Sequence, residues 1–176
     1  MRDMLRRFAA DYPSLFPLPN QWTGLTVCDQ AEADAKLLAV PAAKRFLSIE
    51  PMLGPVEIET IRNSDFGEGQ PYLHPLIGRV SDGHGDSCGA PSLDWVIVGG
   101  ESGPKARPMH PDWARSLRDQ CVAAGVAFHF KQWGEWGAGG HRVGKASSGR
   151  HLDGRTWDQM PGEAVPCLNA FRFLAP

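Results

Sequence analysis

Four short apolar runs, each ending in a polar or glycine-rich turn, organise the chain: Trp22–Val27, Arg45–Glu50, Asp94–Gly100 and Val126–Trp133. All four read as strands: Arg45–Glu50, with Pro51 after it, as a buried one, and Asp94–Gly100, by its continuous apolar core, as one covered on both faces. Helical periodicity fills the gaps. Met1, Met4, Leu5, Phe8 and Ala9 recur at helical spacing until the proline-rich stretch Pro13 to Pro19 ends the pattern. Asp29 with Glu32 three residues on predicts a capping box opening a helix through Leu37, Leu38 and Val40, stopped by Pro41. His110-Pro-Asp predicts a cap and an early proline for a helix whose stripe is Trp113, Leu117, Cys121 and Ala124, with Gly125 as its stop. Leu152-Asp-Gly-Arg155 predicts a tight turn.

Strands alternating with helices predict βαβ units and a mainly parallel sheet, so the fold class is α/β, either a half-barrel or a small open sheet. The 176 residues suit one domain but are too few for a complete eight-stranded barrel, which takes about 250 residues. Residues 54–92 break the rhythm with seven glycines and four prolines. They predict an irregular insertion relieved only by a short peripheral strand at Val56–Ile61. Residues 134–176 read as a glycine-rich carboxyl-terminal extension.

Composition narrows the chemistry. With 18 basic and 20 acidic side chains the net charge is −2, which argues against a generally basic nucleic-acid binder but not against a local patch. No run approaches the roughly 20 apolar residues of a membrane span, and the charged amino terminus lacks a signal-peptide core, so a cytoplasmic protein is expected. Cys28, Cys88, Cys121 and Cys167 contain no C-x-x-C pair, and the six histidines no H-x-x-x-H pair. No metal site is therefore expected, and the cysteines read as small buried residues.

In parallel α/β folds the reactive groups lie beyond the strand carboxyl ends. That rule selects Cys28-Asp29-Gln30, Ser48-Ile-Glu50-Pro51, Gly99-Gly-Glu101-Ser-Gly103 and Lys131-Gln-Trp-Gly134. Glu50 and Glu101 can divide acid and base roles, hold an amine or bind a hard cation; each can equally pair with an internal base. Lys131 can meet a carboxylate or phosphate, or pair with either glutamate. The glycines after the third strand fit no phosphate-loop pattern but let a ligand approach the backbone. Arg107 is a candidate anion clamp. Trp133 and Trp136 can stack a base or pack internally. His129 alternates with Phe128 and Phe130 and is expected to be a packed strand residue.

Several segments together resemble the phage gp thirty-seven / gp sixty-eight family, a largely uncharacterised group with a radical S-adenosylmethionine-like architecture. They are Trp22–Val27, Arg45-Phe-Leu-Ser-Ile-Glu-Pro-Met-Leu-Gly54, Asp94-Trp-Val-Ile-Val-Gly-Gly-Glu-Ser-Gly103, Ala106–Met109, Asp112-Trp, Ser116–Cys121, Phe130–Gly134 and Leu152–Trp157. The resemblance implies part of a TIM-like barrel, with Glu50, Glu101 and Lys131 in catalytic positions. It places Ser48, Gly99, Gly100, Ser102, Arg107 and Gln132 around the cofactor. S-adenosylmethionine and a [4Fe–4S] cluster are implied for the full-length family. This chain has no closely spaced cysteine triplet, and its start resembles a mid-family helix. The expectation is a carboxyl-terminal half, either a gene fragment or a natural short form. It binds no cofactor by itself, is catalytically incomplete and is prone to self-association through an exposed barrel edge. Two other readings remain: an accessory module binding nucleic acid or a small ligand through Arg107, Lys131 and Trp133, and a divalent-metal hydrolase using Glu50 and Glu101.

Overall fold

A computed structural model describes residues 7, 10–12, 18–36, 42–62, 72–81, 86–88 and 92–162. All but Arg7 of the helix expected from Met1 to Ala9, the end of the helix at Leu37–Val40 and Cys167 fall outside the described residues. A four-stranded parallel sheet runs in the order β1 (Trp22–Val27), β2 (Lys44–Ile49), β7 (Trp95–Gly99) and β8 (Ala127–Gln132). Each lies within one or two residues of the run that predicted it. Helices α1 (Gln30–Lys36) and α2 (Pro111–Ala124) are the crossovers after β1 and β7. The fold class is α/β, with a parallel sheet of βα units. Among the described residues, no helix is long and apolar enough to cross a membrane.

The caps behave largely as the sequence predicts. Asp29 Oδ1 accepts from the Glu32 amide at 3.0 Å, while the Glu32 carboxylate reaches one residue further back, to the Cys28 amide at 2.9 Å. His110 Nδ1 accepts from the Asp112 amide at 3.2 Å, and Gly125, with φ 71°, ends α2 in the left-handed conformation. Asp153 and Gly154 both have positive φ, 55° and 78°, between the bridged residues Leu152 and Arg155. That is the geometry of a tight type I′ turn.

The insertion is more ordered than its composition suggests. It carries a second, antiparallel sheet of β3 (Ile61–Arg62), β4 (Tyr72–His74), β5 (Arg79–Ser81) and β6 (Asp86–Cys88). Val56–Thr60 is not a strand. It is an irregular strap with Val56 and Ile58 buried, held by two side-chain amides in place of a sheet neighbour. Gln30 gives and takes a bond with the Glu57 backbone (3.0 and 2.6 Å). Buried Gln120 accepts from the Ile58 amide at 2.8 Å and donates to the Val56 carbonyl at 3.4 Å. Short-range periodicity sees the apolar alternation but not the partners that keep this segment out of a sheet.

The two faces of the parallel sheet differ. Val27, Leu47, Ile49, Val96, Val98, Phe128 and Phe130 are buried in one cluster with Leu117 and Cys121 of α2, Ala33 of α1 and the strap. On the other face Phe46, Ser48, Trp95, Ile97 and His129 are half-buried, and Trp22, Gly24, Thr26 and Lys131 are exposed. The first part of the expected carboxyl-terminal extension folds back on the domain. Trp157 and Gln159 bond the outer side of β8 through Phe130 and Phe128, and a short helix α3 (Lys145–Ser148) lies in the intervening segment.

Candidate strand-end site

β2, β7 and β8 end side by side, and their terminal residues converge as the strand-end rule predicts. Glu50 follows β2 and precedes Pro51 across a cis bond. Its carboxylate receives the Ser48 hydroxyl at 3.2 Å and meets Lys131 Nζ at 3.2 Å, so it reaches from β2 to β8 across the intervening β7. Gly99 makes that reach feasible: a Cβ there would stand 2.3 Å from Glu50 Oε1. The neighbouring Gly100 serves the backbone instead. A Cβ at Gly100 would lie 1.9 Å from the Trp133 carbonyl, and the Gly100 amide donates to the Gln132 carbonyl at 2.9 Å. Gly134 returns the contact with φ 83°, its absent Cβ only 2.2 Å from the Glu101 carbonyl.

Glu101 belongs to a second, separate unit. Its carboxylate is held in a fork by Arg107 Nε and Nη2, both at 2.8 Å, and takes the Arg107 amide at 2.8 Å as well. The guanidinium, and then that amide, hold the Glu101 carboxyl down to about 2. Arg107 is thus already occupied by a carboxylate. Ser102 and Gln132 meet weakly at 3.4 Å on the same lip. Glu135, which the sequence reading did not single out, accepts from the Gly103 amide at 3.2 Å and lies 3.8 Å from Arg142, fastening the 101–107 loop to the returning chain.

The aromatic residues divide between the core and the open face of the sheet. Trp133 is buried, edge-on to Phe130 at 4.8 Å, with its indole N–H on the His151 carbonyl; it offers no face to a base. Half-buried Trp136 donates to the Ala106 carbonyl at 2.8 Å. The rings that do line the open face are Trp22, Phe46 and Trp95, with His129 beyond them at centroid spacings near 6 Å (6.2, 6.0 and 5.9 Å). Alternation along β2, β7 and β8 already assigns Phe46, Trp95 and His129 the same side as Glu50 and Lys131. The cue was in the sequence, unused for the tryptophan and phenylalanine. His129 is indeed a packed strand residue, its imidazole pulled below its ordinary range by burial and by the charge of Arg150.

The three cysteines among the described residues do not gather here. Cys28 is half-buried after β1, Cys88 belongs to β6, and Cys121 is buried on α2, its thiol pushed up by desolvation. Among the described residues, no three His, Cys, Asp or Glu side chains are grouped to hold a metal ion. Both candidate hydrolase carboxylates are instead neutralised by Lys131 and Arg107. The site is therefore the carboxyl end of the sheet carrying two opposite-charge pairs of similar exposure, Glu50–Lys131 and Glu101–Arg107, the first of them beside Gly99.

No curated protein and no solved structure matches the chain. A protein-family model does match, over residues 1–161, and its description is a protein of unknown function, DUF5131. With nearly the whole sequence inside that match, the chain belongs to the DUF5131 family.

Proposed function

We propose that this chain is a ligand-binding part of a radical S-adenosylmethionine-like barrel of the kind seen in phage-associated proteins, and that it is catalytically incomplete alone. On this reading it holds a zwitterionic small molecule, S-adenosylmethionine, at the carboxyl edge of its parallel sheet. The observation that carries the reading is the Glu50–Lys131 pair spanning Gly99. An α-amino acid head group carries an ammonium and a carboxylate side by side, and opening this pair offers one partner to each. Ser48 keeps the Glu50 carboxylate oriented by donating to it. The aromatic face of Phe46 and Trp95, two and three residues back along the strands from Ser48 and Val98, suits a planar base. Bound there, S-adenosylmethionine supplies an activated sulfonium.

The cysteines among the described residues do not fit the iron–sulfur cluster that the resemblance implies. The buried Cys121 would have to leave its apolar contacts, Cys28 lies beyond the end of β1, and Cys88 belongs to β6 of the other sheet. No step is routed through a cluster, and the residues do the work of binding and orientation only.

Calorimetry with S-adenosylmethionine, single-stranded DNA and Mg²⁺ as separate titrants tests the proposal. Binding of S-adenosylmethionine alone, weakened about tenfold in Glu50→Gln and in Lys131→Met, is the expected result. No heat with S-adenosylmethionine, together with DNA binding that falls steeply with salt, sinks it in favour of an accessory nucleic-acid module.

A further inference from the structure

The two edges of the parallel sheet are treated differently. Along β8 the outer side is occupied: the Phe130 amide donates to the Trp157 carbonyl at 2.9 Å, the Gln159 amide to the Phe128 carbonyl at 3.3 Å, and the Phe128 amide to Gln159 Oε1 at 2.9 Å. Along β1 one side pairs with β2 over all six residues, and among the described residues nothing pairs with the other. β1 also lacks the usual protections of an edge strand. Trp-Thr-Gly-Leu-Thr-Val contains no charge and no proline, it pairs with β2 without a bulge, and Trp22, Gly24 and Thr26 are exposed.

We propose that a second copy of this chain pairs along β1, antiparallel and about a two-fold axis, to make one continuous sheet across both molecules. The structure limits the alternatives. Closing a barrel with a second copy would require β8 of one molecule beside β1 of the other, and the segment around Trp157 and Gln159 covers that edge of β8. Among the described residues the edge left open is β1, and a two-fold operation that brings a strand against itself makes it antiparallel. Because all six residues are uncharged, self-pairing brings no like charges together. The contact follows a strand about 20 Å long and leaves the Glu50–Lys131 end free. The inference therefore stands or falls independently of the proposed ligand.

Sedimentation of the full 176-residue chain over a concentration series reads the association. A reversible monomer–dimer equilibrium is expected, and Thr26→Lys, a charge added at an exposed edge position, raises its dissociation constant at least about tenfold. Hydrogen exchange below and above the midpoint is expected to show that the β1 amides directed away from β2 gain protection only in the dimer, while those bonded to β2 are protected in both. A single monomeric species up to about 1 mM overturns the proposal. So does a dimer whose β1 amides exchange as in the monomer, or a folded Thr26→Lys variant that dimerises as tightly as the parent. Should Thr26→Lys fail to fold, the exchange comparison on the unaltered chain decides alone.

Discussion

One added methyl group separates the roles of the two adjacent glycines at the end of β7. In Gly100→Ala the new Cβ falls 1.9 Å from the Trp133 carbonyl oxygen, whereas real Cβ contacts essentially never come under 3.0 Å. Relief requires moving backbone against backbone by about 1 Å, where the Gly100 amide is already bonded to Gln132. That places the cost at the upper end of overpacking, about 3 kcal/mol or more. In Gly99→Ala the obstructing atom is Glu50 Oε1 at 2.3 Å, the far end of a flexible side chain. The carboxylate swings away and its pair with half-exposed Lys131 is lost, worth about 0–1 kcal/mol. The less flexible unfolded chain offsets about 0.4–1 kcal/mol of this. Gly99→Ala should thus unfold within about 1 kcal/mol of the parent, yet lose whatever binds through Glu50 and Lys131. Urea unfolding resolves the two: with m about 2 kcal/mol/M, Gly100→Ala moves the midpoint down by more than about 1 M and Gly99→Ala by less than about half that. Equal midpoints for the two variants, or an unperturbed Gly100→Ala, would refute the reasoning.

Gln120→Ala leaves the buried Ile58 amide without its acceptor and should cost about 1–3 kcal/mol in urea unfolding, with faster hydrogen exchange at Ile58 in the folded state. The Arg107 fork lowers the folded-state carboxyl of Glu101 to about 2 from an ordinary 4.5. Its contribution is therefore complete above the ordinary value and fades as pH falls through that interval. Against the parent, Glu101→Gln should flatten the pH dependence of stability there, and an unchanged profile would count against the fork. Burial raises the Cys121 thiol. Iodoacetamide at pH 8 followed by peptide mapping should accordingly find Cys121 unmodified in the native chain and modified in urea; native labelling at the rate of a free thiol would contradict its burial.

Local rules carried the sequence a long way. Four short runs rich in β-branched, aliphatic and aromatic residues gave the four parallel strands, because one face of the sheet is buried in the core and part of the other carries aromatic rings. Asp29, His110 and Gly125 marked helix ends because capping depends on only a few neighbouring residues. Asp153-Gly154 marked its turn because few residues accept positive φ. The same rules sent Ser48, Glu50, Gly99 and Lys131 to one edge, since parallel strands share a direction. What they left undecided was pairing over distance. Glu50 and Glu101, equivalent by position, separate because Gly99 lets one reach Lys131 while the loop from Ser102 to Ala106 returns Arg107 to the other. The strap at Val56–Ile58 stays out of a sheet because Gln30 and Gln120, 90 residues apart, supply its hydrogen bonds. The insertion's four strands are too short to register as periodic and exist through their mutual ladder. That the outer edge of β8 is covered followed from where Trp157 and Gln159 come to rest against Phe128 and Phe130, which no single stretch of sequence records.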